Sequence, residues 1–105
     1  MPDSNNRTTE AELSFAILGI LRGENPPELS VQELINRIPA VLKLTNEDQQ
    51  QSATRPGEEI WEQRVRNIKS HHDVSGNYLQ EGYLEYIPGG LRLTQAGRIH
   101  WEENI

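Results

Sequence analysis

The chain contains no cysteine, which excludes several kinds of protein chemistry at once. Without thiols there can be no disulfide framework, no zinc knuckle and no cysteine nucleophile. The histidines offer no substitute, because His71 and His72 are adjacent and would point about 100° apart on a helix, while His100 lies far along the chain. We therefore expect neither a metal site nor a cofactor.

Long apolar runs and a secretory signal are also missing. The sequence has no stretch of about 18 apolar residues, the length that a membrane-spanning helix requires. Residues 1–7, read MPDSNNR, lack the basic-then-apolar order of a signal peptide. These absences predict a cytoplasmic location and no membrane partner.

Recognisable catalytic patterns are absent too. We find no glycine-rich phosphate loop, no assignable Ser–His–Asp order and no paired carboxylates facing a cleft. Glu58, Glu59 and Glu62 stand together, but the positive dipole end of a helix explains acids in a first turn. Aromatic residues make up only 6% of the chain, too few for both a core and a cage around a flipped base. We expect no catalytic residue in this chain.

The charge is acidic overall but unevenly distributed. A net charge of −6 argues against strong non-specific binding to nucleic acid. Between Arg55 and His100, however, basic and acidic residues are equal in number, and the run 63–72 contains no acid. The pattern predicts a locally basic helix on an acidic body.

The length of the chain predicts a single domain. Helix-capping signals and the spacing of apolar residues predict the elements of its first half. We expect disorder over 1–7 and a folded domain over 8–105. Capping boxes at 9–12 and 30–33 open two helices, each followed by apolar residues at helical spacing. Pro39 interrupts the second helix or begins a further one, and a short polar helix starting at Thr45 is an open option.

The second half reads as a long helix over about 58–73, a β-hairpin over 83–93 and a final helix from Thr94. One stripe of the long helix is apolar and carries Trp61, Val65, Ile68 and His72, so we expect all four to pack in the core. Trp101 is expected to close the last helix against the first.

The opposite face of the long helix has the side chains that a DNA-reading helix needs. Arg, Asn and Gln match the hydrogen-bonding edges of guanine and adenine in the major groove, whereas basic and hydroxyl side chains suit phosphates. Glycines at the hairpin tip allow close approach to a backbone. The predicted DNA-binding residues are Gln63, Arg64, Arg66, Asn67, Lys69, Ser70, His71, Gly89, Gly90 and Arg92.

Each of these residues also has an ordinary structural interpretation. A polar helix face is commonly just solvated, and Pro88-Gly89-Gly90 is an ordinary hairpin turn. Lys69 could pair with Asp73 at i+4, a surface ion pair worth only about 0.3–0.5 kcal/mol.

The element order predicts an α+β, mainly α fold. Three or four helices closed by a β-hairpin and a C-terminal helix correspond to a winged helix-turn-helix, whose third helix enters the major groove. The hairpin would be the wing.

Three segments in this order carry a family resemblance: R-V-R-N-I-K-S-H, N-Y-L-Q-E-G-Y-L-E-Y and G-G-L-R-L-T-Q-A-G-R. Over 61–98 the chain resembles the winged-helix modules attached to Mrr-type and HNH-type restriction endonucleases. In that family the nuclease lies on a separate domain. The resemblance implies a target-recognition module without catalysis, in a modification-dependent restriction or other defence protein.

We therefore expect binding of double-stranded DNA through the helix over 58–73 and the wing over 83–93. The chain would stop in its last helix, so a nuclease domain or a partner protein would complete it. The alternatives are a protein-interaction or dimerisation module, including a homodimer, or a domain of a transcriptional regulator. The acidic charge favours an interaction module, and the acid-free run favours DNA.

Overall fold

The computed structural model describes residues 6–105, which form an α+β fold that is mostly helical. Four helices and three strands follow one another in the described chain. Their order is α1 (Glu10–Arg22), β1 (Glu28–Ser30), α2 (Val31–Val41), α3 (Ile60–Ser70), β2 (Leu84–Ile87), β3 (Gly90–Leu93) and α4 (Gln95–Glu103). The predicted hairpin and C-terminal helix are confirmed. The expectation that the chain stops within this helix is wrong, because α4 ends at Glu103 with Asn104 as its C-cap.

The sheet contains a strand that sequence reasoning missed. Its order is β1-β3-β2, with both pairs antiparallel. β1 has three residues and one buried apolar side chain, Leu29, which lies opposite Leu91. It forms because β3 would otherwise leave one row of backbone groups unpaired.

Glycine at the start of β3 permits the close approach of β1. A Cβ atom on Gly90 would lie 2.2 Å from the backbone oxygen of Leu29. Gly90 is therefore a buried strand residue, and the hairpin turn consists of Pro88 and Gly89. Gly89 has φ 71°, a conformation that glycine adopts without strain.

Hydroxyl caps begin three of the helices, as the sequence predicts. Thr9 and Glu12 form a complete capping box at the start of α1. The side chains of Ser30 and Thr94 accept hydrogen bonds from the backbone N–H groups of Glu33 and Gly97. These contacts satisfy N–H groups that the first helical turn leaves free.

The core lies between α1, α2, α3 and the inner face of the sheet. It consists of buried side chains from all these elements: Leu13, Ile17, Leu18, Ile20, Leu21, Leu29, Val31, Leu34, Ile35, Ile38, Trp61, Val65, Ile68, Leu84, Leu91 and Leu93. The predicted packing of Trp61, Val65 and Ile68 is confirmed. Trp101 of α4 lies against Gly19 of α1, as expected.

The third helix is shorter than its predicted span of 58–73. It runs from Ile60 to Ser70, and His72 is exposed rather than packed in the core. The side-chain amide of Asn77 donates to the carbonyl oxygen of Ile68 at 2.9 Å. The segment that follows the helix therefore folds back against its C-terminal end. Gly76 then turns the chain with φ 89°.

Two local predictions in the first half need correction. Pro39 neither ends α2 nor opens a new helix, but lies within its last turn. The segment beginning at Thr45 makes a turn rather than a helix, in which the backbone N–H of Asp48 donates to the Thr45 hydroxyl at 3.0 Å. This turn belongs to the connection 42–59 between α2 and α3.

Residues 1–5 of the predicted disordered segment lie outside the described residues. The next residue, Asn6, donates from its side chain to Glu47 at 2.8 Å and accepts from Thr45 through its carbonyl at 2.7 Å. No helix within residues 6–105 is both long enough and apolar enough to cross a membrane.

Candidate nucleic-acid interface

Helix α3 presents one polar face outward because its other face is committed to the core. Trp61, Val65 and Ile68 are buried at helical spacing. The opposite stripe carries the predicted reading residues Gln63, Arg66, Asn67 and Ser70. With 11 residues, the helix is about 16 Å long, and an α-helix with its side chains is about 10–12 Å in diameter, which fits a major groove about 12 Å wide.

Gln63 is bound to the connection that precedes the helix. The Ser52 hydroxyl donates to its amide oxygen at 2.6 Å, and its amide nitrogen donates to the Thr54 hydroxyl at 2.6 Å. These two bonds hold the loop 51–57 against α3. The amide oxygen and the amide nitrogen of Gln63 thus both have partners within the protein. The position of Gln63 on the helix does not predict these contacts.

Arg66 is oriented by a carboxylate eight residues earlier in the chain. Its Nε donates to Oε2 of Glu58 at 2.6 Å, and its Nη2 donates to Oε1 of Gln32 at 3.4 Å. The side chain of Arg66 is 30% exposed and that of Glu58 is 19% exposed. The ion pair leaves the remaining N–H groups of the guanidinium directed away from Glu58.

Three basic side chains at the sides of this polar stripe, which were predicted to bind DNA, have partners in the structure. Arg64 donates from Nη1 to the carbonyl oxygen of Thr8 at 2.8 Å. His71 lies just past the helix, with Nδ1 2.8 Å from Oε1 of Glu10. Lys69 places Nζ 5.2 Å from the ring centroid of Tyr86 instead of pairing with Asp73.

Asn67 and Ser70 are the outward side chains of α3 that remain available. Within residues 6–105, neither side chain has a hydrogen-bond partner. Asn67 lies at the edge of an open polar pocket of about 420 Å³, whose lining also includes Gln51, Thr54 and Gln63. Ser70 is exposed at the last position of the helix.

The predicted wing residues separate into one exposed and two constrained positions. Gly89 is exposed at the turn, and its carbonyl oxygen accepts from the N–H of Val31 at 2.9 Å. Gly90 is buried beneath β1, so it cannot serve as the exposed tip that the sequence suggests. Arg92 lies between two carboxylates, 3.2 Å from Glu28 and 3.7 Å from Glu85, which neutralise it.

A basic cleft lies between α3 and the hairpin turn. It has a volume of about 240 Å³ and is lined by Val31, Arg55, Arg66, Lys69 and Gly89. Sequence reasoning missed Arg55, which falls in an irregular loop where no periodicity indicates a direction. It also assigned Glu58 to the helix dipole alone, whereas Glu58 faces both Arg66 and Arg55, with 3.9 Å to Nε of Arg55.

A buried carboxylate anchors the start of α3. Asp48 is fully buried, and it accepts from the N–H and the hydroxyl of Thr8, both at 2.6 Å, and from the N–H of Thr45 at 2.9 Å. Burial alone would raise the pKa of Asp48, but these hydrogen bonds outweigh it and hold the pKa below its ordinary value of 3.8. The carbonyl oxygen of Asp48 then accepts from the N–H of Trp61 at 3.1 Å.

The residues that the structure describes contain no group of three or more His, Cys, Asp or Glu side chains placed to hold a metal ion.

Comparison of the chain with protein-family models, with curated proteins and with solved structures returned no match.

Proposed function

We propose that this chain is a winged-helix domain that binds double-stranded DNA, with α3 in the major groove and the β2–β3 hairpin beside it. The observation that carries the proposal is the position of α3. It follows α2, has a buried apolar back and an outward face free of acids from Gln63 to Ser70, and lies next to a hairpin. The order α1-β1-α2-α3-β2-β3-α4 and the sheet order β1-β3-β2 are compatible with a winged helix and support the proposal.

Base recognition would rest on Asn67 and Arg66. An Asn amide pairs with adenine and an Arg guanidinium with guanine, each through two hydrogen bonds. Asn67 is available because its amide has no partner in the described chain. Arg66 is held by Glu58 through Nε at 2.6 Å and by Gln32 through Nη2 at 3.4 Å, so a guanine contact would use Nη1 and require Nη2 to exchange its long bond to Gln32. Ser70 would contact a phosphate at the end of the helix.

The small number of basic groups at the interface sets the expected strength of binding. Each phosphate contact releases counterions, so affinity follows the few basic groups at the interface rather than the net charge. Arg64, Arg92 and His71 are engaged with the protein itself. We therefore propose modest affinity that depends on salt and gains specificity from a small number of base contacts.

The wider role that we propose is target recognition in a restriction or other defence protein. The resemblance of 61–98 to the winged-helix modules of restriction endonucleases supports this role. Catalysis would then belong to a nuclease domain or partner, and the protein would act in the cytoplasm.

The direct test compares two asparagines that differ only in position. Asn67→Ala should weaken binding to a preferred duplex by about 1–3 kcal/mol, because a bidentate amide–adenine contact is lost. Asn46→Ala is the matched control, since Asn46 is exposed in the α2–α3 connection. Fluorescence anisotropy with a randomised duplex pool at low salt, followed by selected duplexes, measures both variants. Equal affinity of the two variants, or binding to no duplex, would refute the proposal.

A protein-interaction or dimerisation module is the second candidate, favoured by one observation. An open apolar groove of about 320 Å³ lies between α1, the end of α2 and α4, lined by Phe15, Gly19, Ile20, Val41, Leu42 and Trp101. Val41 is 60% exposed there. Sedimentation equilibrium checks this candidate, because a second copy covering the groove would appear as a dimer that Val41→Glu disrupts.

A further inference from the structure

We propose that the basic cleft between α3 and the hairpin turn binds one backbone phosphate of the DNA strand that separates the two grooves. The proposal rests on the proposed function and deepens it. If α3 occupies a major groove and the hairpin lies on the adjacent minor groove, one strand backbone must pass between them. The space between them in this molecule is the cleft lined by Arg55, Arg66, Lys69, Val31 and Gly89.

The charge around the cleft favours an anion. Three cationic side chains line it, and one carboxylate, Glu58, lies against two of them. Glu58 therefore neutralises only part of the charge. Its Oε1 is buried and accepts no hydrogen bond within residues 6–105, so it takes up no N–H donor of Arg55 and leaves those donors for a phosphate.

Arg55 is the side chain best able to move onto a phosphate. It is 53% exposed, and its Nε lies 3.9 Å from Glu58, a long ion pair. This pair has no hydrogen bond, and Glu58 keeps its 2.6 Å bond to Arg66, so Arg55 can turn towards a phosphate while Glu58 stays paired. Arg66 stays in place on the α3 side of the cleft, because its Nε forms a 2.6 Å bond to Glu58.

The groups that would donate hydrogen bonds to a phosphate are side chains, not backbone N–H groups in the first turn of α2. The N–H of Val31 is already donated to the carbonyl oxygen of Gly89 at 2.9 Å. That bond fixes the hairpin turn against α2 and sets the width of the cleft. Lys69 of α3 is the third cationic side chain of the cleft, and its ammonium group lies over the ring of Tyr86 in β2.

Two glycines provide a charge test with a matched control. Gly89 and Gly82 have φ 71° and 83°, and a Cβ atom on either would meet nothing within 4 Å. Aspartate tolerates this conformation better than most residues. Gly89→Asp places a carboxylate at the cleft, whereas Gly82→Asp places the same charge before β2, outside it.

The experiment measures duplex affinity against salt concentration for the wild-type protein, Arg55→Ala, Gly89→Asp, Gly82→Asp and Asn67→Ala. Arg55→Ala should lower the slope of log K against log salt by about 0.9, the value for one phosphate contact. Gly89→Asp should weaken binding and lower the slope, whereas Gly82→Asp should resemble wild type in both. Asn67→Ala should weaken binding and keep the wild-type slope, because it removes a base contact.

A titration with inorganic phosphate, followed by NMR at the Nε–H signals of Arg55 and Arg66 and the amide of Gly89, separates the two proposals. Duplex binding with a wild-type slope in both Arg55→Ala and Gly89→Asp would overturn the phosphate site and leave DNA binding intact. Phosphate shifts that Arg55→Ala abolishes, without binding to any duplex, would support the anion site and refute the DNA proposal. Neither response in the wild-type protein would overturn both.

Discussion

At the residue scale, intramolecular partners decide which polar side chains of α3 can reach a ligand. Position on the helix places Gln63 and Asn67 on the same outward stripe. The structure then separates them, because Gln63 is bonded to Ser52 and Thr54 while Asn67 has no partner in the described chain. The candidate reading surface is therefore smaller than the sequence predicts.

Asp48 gives the clearest prediction at this scale. Asp48→Asn should lower the free energy of unfolding by about 1–3 kcal/mol at pH 7. The amide would place N–H groups against donors from Thr8 or Thr45, where the carboxylate accepts from both. Urea unfolding measures the effect, and Asp73→Asn, at an exposed position, should change the free energy little.

The pH dependence of that free energy follows from the lowered pKa of Asp48. Its contribution is complete above the pKa of the unfolded chain, and is lost as the pH falls through the lower pKa of the folded protein. Wild-type stability should therefore decline below about pH 4, with a shallower decline in Asp48→Asn. Parallel declines in the two proteins would show that Asp48 is not the group responsible.

At the element scale, the sequence predicts the long and well-capped elements best. Thr9, Ser30 and Thr94 mark helix starts because a hydroxyl cap is a local signal. β1 could not be predicted in this way. One apolar residue, Leu29, establishes no periodicity, and the strand exists because β3 offers an unpaired edge from much later in the chain.

The end of α3 escapes local reasoning for a similar reason. The apolar stripe continues to position 72, so periodicity alone extends the helix. The amide of Asn77 ends it by bonding to the carbonyl oxygen of Ile68, and nothing near residue 70 signals that contact. The error matters because it moves His72 from the core to the surface.

Gly90→Ala tests the role of β1 in positioning the hairpin. The added Cβ atom would lie 2.2 Å from the carbonyl oxygen of Leu29, so β1 and β3 must separate. We expect a loss of about 1–3 kcal/mol in the free energy of unfolding, the usual cost of overpacking. Thermal unfolding measures it, with Gly23→Ala as the control, where the nearest atom is 3.6 Å away. Equal stability of the two variants would contradict this account of β1.

At the scale of the whole molecule, the sequence predicts the arrangement of the candidate interface but not its ion pairs. The order of helices and hairpin follows from local signals. The pairing of Arg66 with Glu58 and of Arg92 with two glutamates depends on how elements meet, so it required the structure. Because glutamates neutralise these arginines, a helix that is basic in sequence is compatible with a molecule of net negative charge.

Amide chemical-shift mapping with a selected duplex shows whether the outer face of α3 and the hairpin turn contact DNA. We expect shifts concentrated at residues 63–70 and 88–90, with little change in the groove around Phe15 and Trp101. Shifts confined to that apolar groove, or none at a duplex concentration that saturates binding, would contradict this expectation.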